Sequence, residues 1–164
     1  MKALVAYYSQ TGNTEKIARA IYDAIPVAKE IKPVDEVESA QGYDIIFCGF
    51  PVHAHGVPGK AQPFIKGLPA GQKIAFFSTH GSLRGGQLPK QAFEEAIGLA
   101  PKATVLGHFG CRGRVDQKII DALMKKIEHR AWAEEAQSAA GHPDAGDLED
   151  AKTFAAEMFA KARP

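Results

Sequence analysis

The sequence predicts an α/β fold, a three-layer α/β/α sandwich built on a parallel sheet. Two observations carry that prediction. Short apolar runs bounded by turn residues alternate along the chain with longer segments whose apolar residues recur at helical spacing. Strand, helix and strand in that order need right-handed crossovers, which place helices on both faces of a parallel sheet. With 164 residues there is enough chain for one domain, residues 1–164, around a single substantial core.

Each element follows from its residues. Residues 2–8 (KALVAYY) form a first buried strand, and 14–25 a helix with Ile17, Ala18, Ile21 and Ile25 on one face. Residues 27–32 (VAKEIK) alternate with charges and read as an edge strand. Residues 43–50 (YDIIFCGF) are a third strand, followed by a helix over 58–67. A fourth strand spans 73–78 (KIAFFS), a helix 87–98, and a fifth strand 103–109 (ATVLGHF). One long helix is expected over 116–137, with Ile119, Ile120, Leu123 and Ile127 inward. The turn-rich acidic connector 141–150 then leads to a last helix from about Leu148, burying Ala151, Phe154, Ala155, Met158 and Phe159. No internal repeat or low-complexity tract interrupts the pattern.

Composition narrows the function classes. At 45% hydrophobic, 24% charged and a formal charge of +1, the chain gives no bulk reason to expect nucleic acid or an anionic membrane as partner. It has no signal-peptide pattern and no apolar run of about 18 residues, so neither secretion nor a membrane span is expected and a cytoplasmic location is the default. Cys48 and Cys111 have no CxxC partner, which suits reduced thiols better than a disulfide or zinc.

The chemistry concentrates in three loops at the carboxyl ends of strands, where ligands bind in open parallel sheets. After the first strand come Ser9, Gln10, Thr11, Gly12, Asn13 and Thr14, six uncharged positions rich in donors, opening onto a helix. Backbone N–H groups converging at a helix N-terminus, with hydroxyls beside them and a glycine for the bend, suit a phosphate monoester. The plainer reading is a helix cap by Asn13 or Thr14. No GxGxxG follows the strand, and AHGVPGKA (54–61) has Ala54 and Ala61 where a Walker A has Gly and Ser or Thr, so a pyrophosphate or ATP site is not expected.

Placed directly after the first strand, Ser9-Gln10-Thr11-Gly12-Asn13-Thr14 resembles the S/T-x-T-G-x-T phosphate loop of flavodoxins, which bind flavin mononucleotide (FMN). The resemblance covers about residues 1–110 and implies strand order 2-1-3-4-5, with an extra C-terminal helix here. It also implies two flavin-flanking loops. The first holds Pro51, Val52, His53, Ala54, His55 and Gly56, and the second Thr79, His80, Gly81, Ser82, Leu83, Arg84, Gly85 and Gly86. Each of these loops has the plainer reading of an ordinary surface connection. Unlike the family's usual pattern, neither carries a Trp or Tyr to stack on the ring, leaving His53, His55, Val52 and Leu83 as covers.

Electron-shuttling members of that family are acidic, whereas this chain places Arg84, His53, His55, His80, Arg112 and Arg114 around the expected rim. Positive charge there would favour anionic hydroquinone and an anionic substrate or partner. The plainer reading is solvated charge for the arginines and loop polarity for the histidines, with no metal site among them. Cys111 is an incidental thiol unless Arg112 lowers its pKa. Trp132 reads as helix packing. The resulting expectation is an FMN-binding redox protein passing electrons to a partner protein or a small acceptor. The alternative is an FMN-dependent reductase or oxidase acting on a quinone, a tetrapyrrole or a similar conjugated anion, and a non-redox interaction domain of the same fold ranks below both.

Overall fold

The computed structural model describes residues 1–164. Strands β1 (Lys2–Tyr7), β2 (Ala28–Pro33), β3 (Ile45–Pro51), β4 (Lys73–His80) and β5 (Thr104–Arg112) form one parallel sheet in the order β2-β1-β3-β4-β5. Helices α1 (Asn13–Ala24), α2 (Gln62–Lys66), α3 (Gln87–Leu99), α4 (Gln117–Met124), α5 (Ile127–Gln137) and α6 (Ala145–Ala162) complete the chain. The architecture, the order and all five strands agree with the sequence reading.

Side chains alternate across the pleat, so each strand feeds two cores. Ala3 and Val5 of β1 join Phe47, Phe77, Ile17, Ile21, Phe154 and Phe159 under α1 and α6. Leu4 and Ala6 join Ile46, Phe50, Phe76, Ile65, Ala92 and Phe93 under α2 and α3. Burial on both faces explains why the central strands read as unbroken apolar runs.

At the β2 edge the chain is charged. Glu30 lies 2.6 Å from Lys2 and 2.9 Å from Lys32, whose ammonium groups hold its carboxyl down at about 2. Lys29 Nζ donates to the carbonyls of Tyr22 and Ile25 at the end of α1.

Three helices differ from expectation. The segment 116–137 is not one helix: Lys126 is extended (φ −106°, ψ 118°), and α5 folds back on α4. Within it Ile120 is buried, but Ile119 and Ile127 are exposed, so the inferred inward stripe of four does not exist. Helix α2 is shorter than 58–67, with Pro63 in its first turn. Helix α6 starts at Ala145 rather than near Leu148. Asp144 accepts from the Asp147 amide while the Asp147 carboxylate accepts from the Asp144 amide, a reciprocal cap built inside the supposed connector.

Candidate functional site

The loop after β1 is shaped by Ser9 and Gly12. The Ser9 hydroxyl oxygen accepts from the Gly12 amide (3.1 Å) and the Glu15 amide (3.3 Å), and Gly12 takes φ +95° immediately before α1. Neither Asn13 nor Thr14 caps the helix. Asn13 Nδ2 donates to the Arg114 carbonyl at 2.8 Å, and the Thr14 hydroxyl is buried against that of Thr79 at 2.9 Å. The amides of Thr11, Asn13 and Thr14 consequently donate to no protein acceptor. Unpaired N–H groups at a helix start are anion-binding donors.

The loop after β3 is a tight two-residue turn. His53 and Gly56 exchange amide hydrogen bonds of 3.0 and 2.8 Å around Ala54 (φ +44°) and His55 (φ +72°). Both central residues lie in the left-handed region, as a type I′ turn requires, without the glycine or asparagine that adopts it cheaply. Such strain is characteristic of binding loops. The Glu95 carboxylate anchors the turn by accepting from the Val57 amide at 2.7 Å.

The loop after β4 is tied to the α4–α5 hairpin by Arg112. Its guanidinium donates to the carbonyls of Gly81 (3.2 Å), Ser82 (3.3 Å) and Glu135 (2.8 Å) and to the Ser138 hydroxyl (2.8 Å). Against Gly81 lies Val115, whose methyl stands in the space that a Cβ would need, with the indole of Trp132 in contact beside it. The hairpin therefore roofs one side of the strand ends.

These segments enclose a cleft of about 420 Å³. Gln10, Thr11 and Asn13 form one wall, Pro51, Val52, His53 and Ala54 a second, and Thr79, His80 and Gly81 a third, all of them sequence candidates. Gly113, Arg114, Val115, Asp116, Ile119 and Trp132 supply the remainder. Of the other candidates, Ser9, Gly12 and Thr14 shape the first loop from behind, and His55 and Gly56 belong to the turn rather than the cleft. Ser82 is buried, and Leu83 is exposed. Arg84, Gly85 and Gly86 line a different cavity, beside α3.

Sequence reasoning missed Gly113, Val115, Asp116, Ile119 and Trp132 as lining residues; of these, Trp132 is an aromatic that reaches the cleft from α5 instead of from a flanking loop. The rim is also less positive than a count of basic residues suggests. Arg112 is consumed by its four acceptors, and Arg84 pairs with Asp150 at 2.6 Å and lies over the Phe109 ring. Burial lowers the pKa of His53 and, against the opposing bond to Ser82, that of His80, favouring the neutral rings at pH 7. Arg114 and Asp116 are the charges left in the cleft. Cys111 is buried, and desolvation pushes its thiol up, not down as a neighbouring arginine alone would do. Cys48 is likewise a buried free thiol.

A flavodoxin domain model matches residues 4–156. The chain belongs to the flavodoxin domain family. This flavodoxin-family chain is 34% identical over 99% of its length to the flavodoxin-like domain-containing protein BilS of Clostridioides difficile, covering 98% of that protein. Its fold is similar to that of a short-chain flavodoxin associated with a non-canonical PDU bacterial microcompartment (TM-score 0.69, 16% identity, 99% of each chain). It is also similar to a Lactobacillus acidophilus flavoprotein solved in complex with FMN (TM-score 0.56, 20% identity, 74% of this chain and 97% of that one). No helix is long and apolar enough to cross a membrane.

Proposed function

We propose that this flavodoxin-family chain binds FMN in the cleft and carries electrons to a partner protein or a small acceptor in the cytoplasm. The observation that carries the reading is the set of unpaired amides of Thr11, Asn13 and Thr14, opening beside the cleft that Arg114 also lines. These are neutral donors with one cation nearby, a donor set that fits a phosphate monoester. Pro51 to Ala54 and Thr79 to Gly81 would flank the ring system, with Trp132 offering the aromatic surface that the flanking loops lack. When bound, FMN supplies one- and two-electron redox chemistry, and the protein supplies anchoring, orientation and electrostatics.

Transfer to a partner protein is supported by Ile119, an apolar side chain of the cleft lining that is about half exposed (51%). An exposed apolar side chain beside a redox site offers a contact that excludes water without demanding a charged partner. The deciding experiment is titration of the apo form with FMN and riboflavin, followed by flavin fluorescence. FMN binding at least about 100-fold tighter than riboflavin is expected, because the phosphate would engage several charge-assisted hydrogen bonds. Equal affinities would remove the phosphate-loop assignment, and no binding of either would remove the redox reading.

A further inference from the structure

On the other side of His80 from the cleft lies a cavity of about 520 Å³, between α3 and the outer strand β5. That volume accepts a molecule of two or three fused rings. One wall is the Phe93–His108 pair, stacked at 4.3 Å with 25° between ring planes. Phe109 lies farther along, but its ring is already stacked on Phe154 at 5.5 Å and has the Arg84 guanidinium 5.0 Å from its centre. The flat Phe93–His108 wall favours a planar guest.

The polar feature is His80, 6% exposed. Its Nδ1 lies 2.9 Å from the Ser82 carbonyl, which only accepts, so Nδ1 carries the proton in the neutral ring and Nε2 presents a lone pair. Nε2 has no partner, and neither does the buried hydroxyl of Ser78, two residues earlier on the same face of β4. Both converge on Gly110, a residue of the cavity wall. A Cβ there would stand 3.3 Å from His80 Nε2 and 3.4 Å from Ser78 Oγ. Two buried polar atoms without partners, meeting where a side chain is missing, mark a place for a hydrogen-bonding atom that the protein does not supply. The mouth carries Lys90 and Glu94, of opposite sign, and Arg84 is already paired with Asp150, so charge selects neither sign.

We propose that this cavity is a second binding site, distinct from the flavin cleft, for a small, uncharged, planar conjugated molecule bearing an N–H or O–H donor, of the lactam or phenol class. The donor hydrogen bonds to His80 Nε2, and the ring system lies along Phe93 and His108. The site stands whether or not the cleft takes FMN, because His80 is its only residue in common with the cleft.

The test titrates the ¹⁵N-labelled full chain, as purified, with 2-quinolone and with N-methyl-2-quinolone, which keeps the shape and loses the donor. Saturable shifts are expected at Gly110, Gly86 and His108 for 2-quinolone, with at least tenfold weaker binding for the methylated compound. Gly110→Ala places a methyl between His80 Nε2 and Ser78 Oγ and is expected to weaken 2-quinolone at least tenfold while FMN titration is unchanged. His108→Ala, at an exposed position, removes half of the stacked wall and is expected to weaken binding at least threefold even if Gly110→Ala does not fold. Any of three results overturns the proposal: no saturable shift, equal binding of the two quinolones, or shifts confined to Thr11, Ile119 and Trp132 of the cleft.

Discussion

Replacing Arg112 by alanine tests whether the α4–α5 roof is held by one side chain. The guanidinium makes two hydrogen bonds of 2.8 Å, to the Glu135 carbonyl and the Ser138 hydroxyl, and two longer ones to Gly81 and Ser82. Hydrogen bonds from a charged donor contribute about 1.5–3 kcal/mol each. Solvent reaches Ser138, and the two long bonds are weak, so about 3 kcal/mol for the whole set is the working figure. Since α4 and α5 pack chiefly on each other and not on the sheet, the loss falls first on the docking of the hairpin. Amide hydrogen exchange in α5 should then accelerate by about 100-fold, tenfold for each 1.4 kcal/mol. If hairpin and sheet unfold together instead, the melting temperature drops by about 6–12 °C. Arg112→Lys should recover a fraction, because an ammonium cannot span the same acceptors as a planar fork. Unchanged α5 exchange together with a loss of stability under about 0.5 kcal/mol would refute the clamp.

Trp132→Ala should cost about 2 kcal/mol of stability, below the value for a fully buried Trp because the residue is part-exposed, and should weaken FMN and riboflavin by the same factor. A change in their ratio would mean that Trp132 acts on the phosphate end. His53 and His80 have lowered pKa values in the fold, so between the folded and unfolded values the unfolded chain binds more protons and stability falls as pH drops below about 6.5. Urea midpoints from pH 7.5 to 5 should show that slope and a flatter one in His80→Gln; identical slopes would count against His80 as a contributor. Ala54→Gly should stabilise by about 0.5 kcal/mol, the relief of a left-handed alanine less the added chain entropy of glycine. A lower urea midpoint would show that the turn does not hold Ala54 at positive φ in solution.

The five strands were legible because burial on both faces writes itself as apolar runs, and β2 because its charges mark an edge. The three loops were legible because parallel topology sends every strand end to one side. The break at Lys126 left no such trace. No Gly or Pro marks it, and Ile119, Ile120, Leu123 and Ile127 keep helical spacing across a joint that turns the chain back on itself. Trp132 escaped for the same reason, because its place over Gly81 depends on where the second helix goes. The basic rim was misread because a charge count does not say where a guanidinium points. Arg112 and Arg84 are bound elsewhere by partners 23 to 66 residues away in sequence. The Asp144 cap lay in plain view, but an Asp at the third helical position is a weaker signature than the usual Glu.

The ionic triplet centred on Glu30 of β2 bears on what the sheet does next to its own copies. A parallel sheet with an uncovered outer strand is a template that a second molecule can extend, and high protein concentration makes that encounter frequent. Here an incoming strand meets Glu30 clasped between Lys2 and Lys32, with Lys29 committed to the end of α1 and Pro33 offering no N–H at the strand's last position. Adding a sixth strand would require stripping water from these groups for a short, interrupted ladder. The cluster contributes little to holding one molecule together, yet it discourages many molecules from joining edge to edge.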